Sequence, residues 1–206
     1  EWREEMRKEV NGLKDKCTWI LVPLSSLPEK TKILRGRWVF ARRTNGDAKA
    51  RWVAKGFMQV DGVDVFNTFA PVKLTKTLLM ILHLGLRSGS GTRHWDIKQA
   101  FIEAMLEEGE VVYVEQPHGF EEKGFDYVCR LLRALYGTKQ AGSRWYHTLD
   151  EFMRKVCGFE RSKYDPCAYT KKGCSVTVNT DDIYGAGEGK LLDDFDRMLR
   201  ERFTVT

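Results

Sequence analysis

Ser175-Val176-Thr177-Val178-Asn179-Thr180-Asp181-Asp182-Ile183-Tyr184-Gly185-Ala186 joins two short β-type runs through a pair of acids. The flanking runs place Asp181 and Asp182 at or near the tip of a hairpin. Neighbouring strand residues point to opposite faces, so both acids share one site only where the turn bends them together. Two carboxylates about 4 Å apart repel by about 4 kcal/mol at an effective dielectric near 20. Close and partly buried, they need a positive partner, and Mg²⁺ is the usual hard cation for oxygen ligands. Taken alone, an Asp-Asp pair is more often a polar turn than a site.

Working outward, a charged helix follows from about Lys190, and upstream Trp145, Leu149, Phe152, Met153 and Val156 fall on one helical face with Gly158 placed as its C-cap. Leu74 to Arg87 reads as a mostly buried helix closed by the Ser88-Gly89-Ser90-Gly91 loop. After it, His94-Trp95-Asp96-Ile97 reads as a short strand running into a helix over 98–107. Asp96 taken by itself is a helix N-cap. An acid at a strand end together with an acid pair on a later hairpin is the arrangement that two-metal phosphoryl transfer requires. Val111 to Val114 and Val128 to Leu131 read as strands.

Near the start, Trp2, Met6, Val10 and Leu13 recur at helical spacing before the β-rich run Thr18 to Val22, which Pro23 stops. Two alternating runs then flank Asn45-Gly46, a hairpin signal because both residues tolerate positive φ. The hairpin is basic, with Arg35, Arg37, Arg42, Arg43, Lys49, Arg51 and Lys55 on or beside its strands. Helices and strands mix without regular βαβ alternation, which gives an α+β fold.

Composition narrows the class without choosing a function. The charge of +5 suits a partner carrying phosphates but also many proteins that never meet one. The longest apolar stretch, Leu78 to Leu86, is interrupted by His83 and is too short to cross a bilayer, and the first residues are no signal peptide. Five cysteines without a C-x-x-C pair suggest neither a disulfide framework nor a zinc site, so they read as reduced, mostly buried thiols in an intracellular protein. His83, His94, His118 and His147 lack metal-ligand spacing and read as structural or surface residues.

Six blocks occur in an order that resembles copia-type LTR retrotransposon reverse transcriptases: Ala50 to Gln59, Thr68-Phe-Ala-Pro-Val72, His94 to Phe101, Val112 to Phe120, Leu135 to Ala141 and Thr180-Asp-Asp-Ile183. The resemblance implies right-hand polymerase fingers (about 1–73 and 104–142) and palm (about 74–103 and 143–206), a mostly antiparallel palm sheet backed by helices, with the thumb absent. It also implies RNA-directed DNA polymerase activity, in which a primer 3′-hydroxyl attacks a dNTP. By the same resemblance Asp96 and Asp181 match metal ligands holding two Mg²⁺ ions, with Mn²⁺ as substitute, and Asp182 is the less directly ligating neighbour. Phe101 matches the aromatic gate against a ribose 2′-hydroxyl, with a core aromatic as the equal alternative. Gln140 matches a glutamine that positions the nucleotide, and Arg51 a fingers arginine on the triphosphate, helped by Arg42, Arg43 or Lys49. The implied partners are an RNA template, a DNA primer-template duplex, dNTPs and the rest of a pol polyprotein (thumb, ribonuclease H, integrase), with no membrane. The implied location is cytoplasmic, in virus-like particles, and also nuclear.

The pattern has departures. Asn179 and Thr180 stand where the family has an aromatic and a small apolar residue, Glu103-Ala104 where an Asn-Gly turn is common, and Thr138 where leucine is usual. Together with the truncation they keep in view an inactive relic that retains the fold and binds nucleic acid through its basic hairpin; a two-metal nuclease would share the acids but give no reason for Phe101, Gln140 or the basic hairpin.

Overall fold

A computed structural model of the chain describes every residue except Asp61, Val63, Asp64, Phe66, Ser88 and Ser90. The expected loop at Ser88-Gly89-Ser90-Gly91 lies partly outside the described residues. The chain divides into two compact units, Glu1–Thr68 with Phe101–Arg144, and Phe69–Ala100 with Trp145–Thr206.

In the first unit, helix α1 (Trp2–Asp15) feeds strand β1 (Trp19–Pro23), as the periodicity predicts. Strand β2 (Ile33–Leu34) precedes the hairpin of β3 (Gly36–Arg42) and β4 (Ala48–Ala54). Gly46 has φ 87°, the left-handed value that the Asn-Gly signal anticipates. Strands β6 (Tyr113–Val114) and β7 (Tyr127–Leu131) complete a four-stranded sheet in the order β1-β7-β6-β2, in which only β2 and β6 pair in parallel. In the hairpin, Val39 pairs with Arg51 and Ala41 with Lys49, so Arg37, Lys49 and Arg51 share one face. The other face carries Trp38, Phe40 and Trp52. Trp52 joins Leu13, Leu34, Ile102, Val114 and Leu135 in the core.

The second unit holds a five-stranded, wholly antiparallel sheet in the order β5-β11-β10-β9-β8. Its strands are β5 (Gly91–Asp96), β8 (Glu160–Arg161), β9 (Ala168–Lys171), β10 (Cys174–Asn179) and β11 (Asp182–Gly187). Helix α2 (Thr75–Arg87) lies on one face, where a Cβ on Gly85 would stand 2.6 Å from the Ala186 Cβ. Helix α4 (Gly189–Arg202) covers the other, with Phe195 edge-on to Trp95 at 5.0 Å. These findings bear out an α+β fold with antiparallel pairing.

Four expectations change. Helix α2 is not mostly buried: Ile81 and Gly85 are buried, but Leu79, Met80, Leu84 and Leu86 are exposed. The helix over 98–107 is absent, and only a 3₁₀ turn at Ala100–Glu103 forms. Gln99 has φ 54°, and the Leu106 N–H donates to Leu132 O, so it is not available for a helical ladder. Asp96 is therefore a strand residue, not an N-cap. Of the run Val111 to Val114, only Tyr113–Val114 is a strand. Helix α3 (Ala141–Glu151) passes into a π turn at Phe152–Val156, which adds a residue to the turn and rotates Val156 out to 60% exposure. Gly158, at φ 69°, follows as expected, with Phe159 N–H donating to Met153 O.

Candidate active site

The hairpin of β10 and β11 pairs Asn179 with Asp182, leaving Thr180 and Asp181 as its two turn residues. Asp182 therefore starts β11, and Asp181 sits at the tip. Thr180 has φ 57°, an outlying conformation for a β-branched residue. The turn is held from behind by Trp145 Nε1–H, which donates to Thr180 O at 2.6 Å, and from the side by Ile97 N–H, which donates to Asp181 O at 2.8 Å.

On the other side of β11, Asp182 pairs directly with Asp96 and Tyr184 with His94. These four side chains share one sheet face, the face that carries α2 at its far end. Trp95 and Ile183, between them in sequence, point the opposite way and are buried at 2% and 0% exposure. Asp96 Oδ2 accepts the Thr206 hydroxyl at 3.0 Å, and Asp182 Oδ1 lies 2.7 Å from His94 Nε2. Burial, with the Asp182 charge nearby, holds the Tyr184 phenol above its ordinary pKa.

Among the described residues, neither Asp96 nor Asp182 has an arginine or lysine partner, and no group of three His, Cys, Asp or Glu side chains is assembled to hold a metal. Facing like charges in adjacent strands destabilise one another unless a cation intervenes. Mg²⁺ is commonly held by one or two carboxylates, with waters and substrate phosphates completing its octahedron, so the Asp96–Asp182 pair fits such an ion.

The remaining candidates lie in the first unit. Phe101 is half-buried and edge-on to Tyr136 at 5.6 Å, and the Arg51 guanidinium stands over the same ring at 5.6 Å. Arg51 Nε is buried with no hydrogen-bond partner. Gln140, a residue that could equally have been an exposed one before a helix, is fully buried. Its Oε1 accepts from Gln59 Nε2 at 2.9 Å, while its own Nε2 has no partner. Arg42 is on the other side of the hairpin from Arg51, paired with Glu1 and over Trp2. The departures are absorbed locally: Thr138 Oγ1–H donates to Leu135 O at 2.8 Å, and buried Glu103 pairs with Lys16. His94 and Tyr184 were not anticipated as neighbours of the acids. Their period-2 spacing from Asp96 and Asp182 is the one sequence signal that could have found them.

A family model described as reverse transcriptase (RNA-dependent DNA polymerase) matches residues 16–206. The chain belongs to the reverse transcriptase family. This reverse transcriptase domain is 36% identical over 215 residues to the Pol polyprotein of transposon RE2 from Arabidopsis thaliana, covering 99% of the chain. It is 37% identical over 173 residues to the Pol polyprotein of transposon TNT 1-94 from Nicotiana tabacum, covering 81% of the chain. These relatives bear out the copia-type reading of the six blocks. The domain spans 14% and 13% of their respective lengths. A solved foamy viral protease-reverse transcriptase in complex with double-stranded DNA matches 98% of the chain and 30% of its own, with a TM-score of 0.52. At 12% identity that likeness is one of fold. Reverse transcriptases as a family use divalent metal ions.

Proposed function

We propose that this domain performs RNA-directed DNA synthesis as part of a retrotransposon polyprotein, with the second unit as palm and the first as fingers. The observation that carries the reading is the Asp96–Asp182 pair, two facing carboxylates with no arginine or lysine partner among the described residues, on one sheet face of a reverse transcriptase domain. Asp96 and Asp182, with Asp181 from the turn, would hold Mg²⁺. Such ions, when bound, would supply electrostatic stabilisation of the charge that develops on the attacking and leaving oxygens. The chain's own part is to aim these carboxylates from a rigid sheet. Arg51 is assigned to the triphosphate, where a planar guanidinium gives paired hydrogen bonds. Phe101 is assigned to rejection of the 2′-hydroxyl and Gln140 to positioning the nucleotide. The unsatisfied Arg51 Nε and Gln140 Nε2 support a ligand-directed role for both.

The test is primer extension on poly(rA)/oligo(dT) by the domain within its full polyprotein. Extension should require Mg²⁺ or Mn²⁺ and fall at least about a hundredfold with Asp96→Asn or Asp181→Asn, the scale of losing a main electrostatic contributor. No extension by the wild-type polyprotein would refute the proposal and leave the relic reading. Cleavage of labelled duplex without dNTPs would favour the nuclease.

A further inference from the structure

His94 stands against the acid pair in an arrangement that no part of the polymerase assignment uses. Its Nε2 is 2.7 Å from Asp182 Oδ1. Its ring lies on Tyr184, with centroids 4.5 Å apart and planes at 21°, and Lys73 Nζ stands 4.7 Å from the Tyr184 centroid. The register explains the contact: His94 pairs with Tyr184 and Asp96 with Asp182, so His94 and Asp182 are diagonal neighbours on one face, within reach of a long side chain. An ionised carboxylate only accepts, so Nε2 carries the proton in this contact.

The geometry points to His94, braced by Tyr184, as a positioning residue that fixes the Asp182 carboxylate through Oδ1 and leaves Oδ2 free to bind a divalent cation shared with Asp96. This rests on the metal-site reading above. Left to themselves, two facing carboxylates turn apart to reduce their repulsion. A hydrogen bond from Nε2–H removes that rotation, and the stack on Tyr184 keeps the imidazole from following the carboxylate. Hydrogen-bond partners of metal-bound groups typically change metal affinity by about 10- to 100-fold when removed.

Mn²⁺ binding to the 206-residue chain, read as loss of the free-ion EPR signal without nucleotide or nucleic acid, tests this independently of catalysis. His94→Ala should weaken Mn²⁺ binding about tenfold or more. His94→Gln, whose amide can donate to the same oxygen, should recover most of the loss. His94→Phe, which keeps the stack but has no donor, should behave like His94→Ala and decides the matter where circular dichroism shows the alanine variant unfolded. In an Asp182→Ala background, His94→Phe should cost nothing more. Wild-type affinity in His94→Phe, or a further loss in that background, overturns the positioning role and leaves the acid-pair reading standing. No binding by the wild type, with Asp96→Asn indistinguishable from it, overturns the acid-pair reading and the positioning role together.

Discussion

Thr180 holds a conformation that L-residues avoid, φ 57°, at the turn that presents Asp181 and Asp182. A left-handed residue costs roughly 1–2 kcal/mol, partly offset in glycine by the larger entropy of its unfolded chain. Thr180→Gly should therefore stabilise the domain by about 1 kcal/mol, measured as a higher urea midpoint at unchanged m. The Trp145 bond to the Thr180 carbonyl is backbone-directed and survives the change. The cysteines give a second residue-scale expectation. Burial pushes the Cys129 and Cys157 thiols up to about 12 and Cys167 up to about 11, while Cys17 is exposed. Since the thiolate is the nucleophile, raised values mean little reactive anion at pH 8. Iodoacetamide at that pH should alkylate Cys17 alone in the native protein and all five cysteines in urea, read by mass spectrometry. The free, mostly buried thiols were legible from an odd count without C-x-x-C spacing. His94 was not, because nothing local distinguishes a strand histidine that meets an acid on the next strand.

At the scale of elements, two of the sequence blocks meet in the first unit. Ala54 N–H donates to Tyr136 O at 2.8 Å, and Lys139 N–H donates to Gln59 Oε1 at 2.8 Å. The approach depends on glycine: a Cβ on Gly137 would lie 2.2 Å from Ala54 O, and Gly137 also has φ 86°. Gly137→Ala should cost about 3 kcal/mol, combining backbone strain with overpacking. Gly46→Ala, at φ 87° with nothing within 4 Å, should cost only about 1 kcal/mol. Equal losses in thermal melts of the two variants would contradict this packing account. The hairpins and the long amphipathic helices were readable because turn chemistry and periodicity are local. The helix expected over 98–107 failed because Gln99 takes a left-handed φ of 54° and the distant carbonyl of Leu132 takes the Leu106 N–H that a helix would use internally.

For the whole molecule, the net charge of +5 gains meaning from its placement. Pairing of β3 with β4 sets Arg37, Lys49 and Arg51 on the hairpin face away from Trp52 and the core. Under the proposed function this face meets phosphates, so duplex affinity should fall linearly with log salt concentration. Arg37→Ala should reduce the magnitude of that slope by about 1, as expected for one lost phosphate contact. An unchanged slope in fluorescence anisotropy titrations would remove Arg37 from the interface.

The sequence by itself determined the family, the α+β class and the hairpin tip carrying Asp181-Asp182, since ordered blocks, alternation and turn residues are properties of the chain read along its length. The tertiary structure alone decided that Asp182 rather than Asp181 faces Asp96, that His94 and Tyr184 join them, and that Gln140 is buried against Gln59. The physical reason is register. Side chains alternate with a period of two, so a one-residue slip of β11 against β5 would exchange the acid beside Asp96 and turn His94 toward a different neighbour. That register is set by long-range partners, Trp95 against Phe195 behind the sheet and Gly85 against Ala186 in front of it.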